Sequence, residues 1–155
     1  MTFRITALPR APFEPLFALP DAALPAHLAR RVVAGPEGGY PCRVSLLDAM
    51  PGEALILVHH EHQPVDTPFR SGHAIYVREQ AEQAHPAPGE VPPLFRSRLL
   101  SLRAFDAQGM MRDADVVEGT AVEPVIAHLL ADPATAYLHI HYARPGCYAA
   151  RVDRA

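Results

Sequence analysis

The sequence predicts an α+β domain: mainly an antiparallel β-sheet built from hairpins, with one helix in the C-terminal half and short N-terminal helices packed on it. Three observations carry this. Apolar runs of strand length recur between turns marked by proline and glycine. One run, Val122 to Leu130, repeats its apolar residues at helical spacing. The second half reads hairpin, helix, hairpin, the order of an antiparallel sheet with helices gathered on one face.

Thr2 to Ala7 alternates well enough for a short strand, and Pro9, Pro12, Pro15, Pro20 and Pro25 then cut the chain into turns and short helical pieces, one of them over Asp21 to Leu28. Arg31 to Ala34 and Cys42 to Leu46 read as strands on either side of a turn at Gly35 to Gly39. Ala54 to His60 is the most apolar run, introduced by Pro51-Gly52, and is expected to be a central buried strand. After a loop through Pro64 and Pro68, Ala74 to Arg78 is expected to pair back on it. The proline-rich stretch 85–93 is expected to be an exposed loop inside a single domain spanning 1–155, since the two flanking pieces are small for independent cores.

Arg98 to Phe105 and Met110 to Val117 flank Asp106-Ala107-Gln108-Gly109, a hairpin whose glycine can take positive φ. Thr120 and Glu123 are spaced as a capping box for the helix that follows. Tyr137 to Tyr142 and Cys147 to Val152 close a second hairpin through Arg144-Pro145-Gly146-Cys147, which suits a type II turn.

Composition excludes several functions. With 155 residues, 49% hydrophobic and 20% charged, the chain has the makeup of a globular domain. It contains no lysine, which removes Schiff-base chemistry, a Walker-type phosphate lysine and a lysine base. Its net charge is −3 and its 14 arginines are scattered among 17 acidic residues, so no basic surface for nucleic acid is expected. No stretch approaches the roughly eighteen apolar residues of a membrane span, and proline and charge interrupt the N-terminal segment before a signal-peptide core can form. No membrane association and a cytoplasmic location follow as expectations. Cys42 and Cys147 form no CxxC pair. Two free thiols are the simpler reading in a reducing compartment, and a structural disulfide is the other.

Histidine is the over-used polar type, with four of nine residues in His59, His60, His62 and His73. If Tyr137 to Tyr142 is a strand, His139 and His141 share one face. Two imidazoles on one strand face offer two nitrogen ligands to zinc or another divalent transition metal, and His62 or Glu61 can complete an open three-ligand site. The same pair serves equally as hydrogen-bonded sheet residues. A regular turn at Pro145-Gly146 puts Cys147 on the opposite face, so a His-His-Cys site within this hairpin is disfavoured.

Glu61-His62-Gln63-Pro64 stands where a buried strand emerges into a loop, and His62 beside a carboxylate such as Glu61 has the makings of a general base. Arg70-Ser71-Gly72-His73 gathers guanidinium, hydroxyl and imidazole donors suited to a carboxylate or phosphate group, although Arg70 can instead pair with Asp66. Asp113 and Asp115 share a strand face and are expected to keep an edge soluble rather than bind metal. Cys42 is next to Arg43, which can stabilise a thiolate, or is a small core residue.

Taken together, Tyr40-Pro41-Cys42-Arg43, Glu61-His62-Gln63-Pro64, Arg70-Ser71, the Arg103 to Gly119 hairpin with Asp113-Ala114-Asp115-Val116-Val117, and Leu138-His139-Ile140-His141 through Gly146-Cys147 resemble the bacterial domain of unknown function numbered 1203. The resemblance spans nearly the whole chain and implies a stand-alone bacterial domain, with no activity or cofactor carried over. His59-His60 before Glu61 departs from the pattern expected of relatives. Three classes of function fit the residues: an enzyme using His62, His139, His141 and Glu61 for acid-base or metal-assisted chemistry, a module in which Arg70, Ser71 and His73 bind a small polar or acidic molecule, and an interaction domain that forms a homodimer through a sheet edge.

Overall fold

A computed structural model describes residues 2–155. Among the described residues eight strands form two antiparallel sheets: β1 (Phe3–Thr6), β8 (Tyr148–Arg154), β7 (Tyr137–Tyr142), β5 (Leu99–Phe105) and β6 (Met111–Glu118) lie side by side in that order, and β2 (Ala29–Val33), β3 (Ala54–Gln63) and β4 (Ser71–Arg78) make the smaller sheet. The α+β class and the two predicted hairpins of the second half are present. The strands divide between two sheets, however, rather than extending one.

Each sheet has its own helical cover. The helix Val122–Ala131 buries Val122, Ile126, Leu129 and Leu130 on the larger sheet against Leu100, Leu102, Leu138 and Ile140, as its apolar spacing requires. Two shorter α-helical turns, Glu14–Phe17 and Pro93–Arg96, and a 3-10 segment at Asp21–His27 complete the helical content outside a turn at Gly119–Ala121. Phe13, Leu16 and Leu24 from the N-terminal pieces pack on Ile56, Val58, Ile75 and Val77 of the smaller sheet.

Three local expectations are corrected. Cys42 to Leu46 is not a strand: Leu46 N–H donates to the Cys42 carbonyl at 3.1 Å, Leu46 takes a positive φ of 52°, and only isolated bridges, Pro41 to Asp48 and Cys42 to Tyr76, remain. Its apolar residues are buried because a tight turn is wedged into the core, a tertiary outcome that alternation cannot distinguish from a strand. The Thr120/Glu123 capping box is absent: the cap position is Ala121 without a side-chain bond, and Glu123 instead accepts from Arg96, at 2.8 Å for one of its oxygens. In the last hairpin Gly146 has the expected positive φ of 80°, but the loop closes with Gly146 N–H on the Tyr142 carbonyl at 2.8 Å, one residue longer than a β-turn. The 85–93 loop is exposed at 87–90, whereas Pro86, Val91 and Pro92 are buried.

Both irregularities that shape the site are bulges. In β8 the pairing steps from Ile140–Ala150 to His141–Tyr148, leaving Ala149 over. Directly paired residues point to the same face, so the slip turns Tyr148 to the side of His141. In β3 the pairing passes from His60–His73 to Gln63–Ser71, leaving two residues, Glu61 and His62, against the single Gly72. That slip lies at Glu61-His62.

Candidate functional site

Strand β7 is buried along its whole length. Its Leu138, Ile140 and Tyr142 face the helix-covered core, and strict alternation sends His139 and His141 to the other face. There the end of β3 arrives from the smaller sheet. His62 stands with its ring centroid 4.9 Å from that of His141 and 5.9 Å from that of His139. One ring nitrogen from each of the three imidazoles lies within 4.8 Å of the other two. The two sheets are held in this relation by buried Gln63, whose side-chain amide donates to Tyr137 Oη at 2.9 Å.

Hydrogen bonds outside the cluster fix two of the tautomers. His141 Nδ1 donates to the Gly146 carbonyl at 3.0 Å, so Nε2 carries the lone pair. Ser71 Oγ gives its one hydrogen to the Phe69 carbonyl at 3.0 Å and therefore accepts from His62 Nε2 at 3.2 Å, which leaves the lone pair on His62 Nδ1. These same two nitrogens, with His139 Nδ1, are buried and have no hydrogen-bond partner among the described residues. Buried polar atoms are rarely left without a partner. Here one such nitrogen belongs to each of three adjoining imidazoles, and two of the rings, His62 and His141, are oriented by a bond from the other nitrogen.

The electrostatics keep the rings in ligating form. Burial, followed by neighbouring imidazoles and by the Arg103 guanidinium, pushes His62 down to about 4. His139 and His141 are pushed down to about 3, again mainly by burial. All three rings are consequently neutral at pH 7.

Tyr148 closes one side. Its ring stacks on His62 at 5.2 Å with 9° between planes and meets His139 and His141 edge-on at 5.1 and 5.9 Å. Arg103 on β5 pairs directly with His139, and Arg151 on β8 pairs with it from the other side. Arg151 is neutralised by Asp153 at 2.8 Å and lies 4.0 Å over the Tyr137 ring. Arg103 is half-buried and has no hydrogen bond or ion pair among the described residues; burial lowers its pKa.

The other residues named from the sequence are placed differently. Glu61 is exposed and paired with Arg70 at 2.6 Å, away from the imidazole cluster, and Arg70 also holds Asp66 at 2.8 Å. Arg70 is thus occupied by two carboxylates. Ser71 orients His62, and His73 Nδ1 donates to the Ala74 carbonyl at 3.1 Å. His59 is exposed, and His60 packs against Phe13 and Tyr148. Asp113 and Asp115 are exposed on the edge strand β6. Cys42 and Cys147 are free and buried. Arg43 reaches Cys147 Sγ at 2.9 Å rather than its neighbour Cys42, and Cys147 lies with Tyr142 in the core, apart from the three histidines.

Two residues of the site escaped the sequence reading. Arg103 had a signal, because an arginine inside the apolar alternation of Leu100, Leu102 and Ala104 must share the face of the paired His139. Tyr148 had none, since its orientation follows from a bulge.

A model of the family described as protein of unknown function (DUF1203) matches residues 39–154, and the chain belongs to that family. Residues before 39 lie outside the match, yet they supply β1 and β2, which edge the two sheets. No curated protein and no solved structure matches the chain significantly.

Proposed function

We propose that this member of the DUF1203 family holds a divalent transition metal such as zinc on His62, His139 and His141 and uses it in chemistry on a small anionic substrate. The convergence of three buried, partnerless imidazole nitrogens carries the reading. Three neutral nitrogen ligands leave a fourth position for water or substrate in a tetrahedral site. A metal so held acts as a Lewis acid and generates a nucleophile from water near neutral pH.

The charge balance supports an anionic substrate. No carboxylate belongs to the cluster, so a bound dication keeps its full charge, and the unpaired Arg103 adds another. A carboxylate or phosphoryl oxygen at the open position satisfies both, with the planar Arg103 fork as its second anchor. Ser71 and Gly146 act by holding the rings of His62 and His141, while Tyr148 excludes water from one side of the cluster. A cytoplasmic location belongs to the same proposal, supported by two unpaired thiols.

Cobalt(II) titration of chelator-treated protein tests the reading. The expected result is visible absorption of tetrahedral intensity, saturating at one equivalent, changed by added phosphate and lost in His139→Ala. A weak octahedral spectrum, or one that survives His139→Ala, contradicts it.

A further inference from the structure

A second site lies apart from the imidazole cluster. Beside the edge of β4 and the β7–β8 hairpin the molecule has a cleft of about 590 Å3, within the size range of small-molecule pockets. Three guanidinium groups, Arg43, Arg98 and Arg144, line it against one carboxylate, Glu118, and its walls include Leu57 and Pro145.

These arginines are not equally committed. Arg98 is neutralised by Asp48 at 2.6 Å. Arg43 is 1% exposed and has no carboxylate partner among the described residues. It donates to the Tyr148 and Pro41 carbonyls at 2.7 and 2.5 Å and to Cys147 Sγ at 2.9 Å, which engages three of its five N–H groups. Arg144, exposed at the rim, has no polar partner among the described residues.

Arg43 and Arg98 both lie over the ring of Tyr142, with the two guanidinium carbons 5.0 and 5.3 Å from its centroid. Tyr142 is only 4% exposed, and its hydroxyl has no hydrogen-bond partner among the described residues. A buried phenol without an acceptor forfeits free energy unless a ligand supplies one. The excess positive charge, the vacant hydroxyl donor and the apolar walls are complementary to one kind of molecule.

We propose that this cleft binds a small organic acid, a carboxylate on an apolar body, with the acid group against Arg144, the free N–H groups of Arg43 and the Tyr142 hydroxyl. The site is independent of metal and of the three histidines.

Benzoate and its uncharged analogue benzamide are the probes, titrated into chelator-treated protein and followed residue by residue in 1H–15N spectra. Benzoate is expected to saturate by about 10 mM, shifting signals of Tyr142, Arg144 and Cys147, with benzamide at least about tenfold weaker. Arg144→Ala should weaken benzoate binding about tenfold, the loss expected for one charge-assisted contact. Tyr142→Phe should also weaken it while leaving the melting temperature unchanged or raised, since the hydroxyl has no internal partner. Equal binding of benzamide, no saturable shift by about 10 mM, unchanged affinity in the Tyr142→Phe/Arg144→Ala variant, or shifts centred instead on His62, His139 and His141 would each overturn the proposal.

Discussion

Acidification of metal-free protein should expose the energetic cost of the imidazole cluster. His139 and His141 are held down to about 3 in the folded chain, chiefly by burial, against about 6.5 for a solvated imidazole. As pH falls through 6.5 the unfolded chain takes up a proton at each position and the native chain does not, so stability is full above pH 6.5 and declines toward the folded values. The slope is about 1.4 kcal/mol per pH unit for each proton. Between pH 7 and pH 5 this amounts to about 2 kcal/mol for each ring and about 4 kcal/mol for the pair. That is a large part of the roughly 5–15 kcal/mol available to a domain of this kind. His62 adds in the same direction, less strongly because it is partly exposed. The acidic groups with lowered values, Glu37, Glu53, Glu123 and Asp132, lie below the ordinary carboxylate range and lose their contribution only beneath this window. Urea unfolding of chelator-treated protein at pH 7, 6 and 5, followed by far-ultraviolet circular dichroism, measures the effect as a falling midpoint at constant slope. A variant carrying His139→Gln and His141→Gln should show a flatter profile. Equal unfolding free energies at pH 7 and pH 5, or an undiminished fall in the double variant, would refute burial of neutral imidazoles.

Two further outcomes separate the residues around the rings. Ser71→Ala leaves His62 Nε2 without its acceptor, so zinc affinity measured by chelator competition should fall about tenfold or more, with little change in melting temperature because Ser71 is exposed. Arg103→Ala removes a cation from beside the cluster. It should tighten zinc binding while weakening the phosphate-induced change in the cobalt spectrum, and a loss of zinc affinity would contradict the placement of that charge.

The legible parts of the fold were those in which local pattern and tertiary packing agree. The Leu100, Leu102 and Ala104 alternation, the glycine at 109 and the helical repeat from Val122 to Leu130 each specify their element without outside help. Cys42 to Leu46 was misread because its apolar residues are buried by a turn wedged between other elements, and burial alone does not set the backbone period. The division into two sheets was hidden for a related reason: strand sequences carry no label for the sheet they join. At the site, His139 and His141 were readable from a period of two, and their meeting with His62 was an extrapolation that the geometry of β3 and β7 realises. Glu61 and Arg70 lie close in the chain to His62 and Ser71, but they pair with each other on the exposed side. Tyr148 depended on a one-residue slip in β8, for which alternation gives no warning.

Metal content is the most direct test of the central claim. Tag-free protein purified without chelator should carry close to one equivalent of zinc or another divalent transition metal per chain by elemental analysis, and the variant with His139→Ala and His141→Ala should carry none while retaining the circular dichroism of the folded chain. Protein that is metal-free as purified and takes up no zinc, cobalt, nickel, manganese or iron(II) on titration at pH 7, where all three imidazoles are neutral, would contradict it.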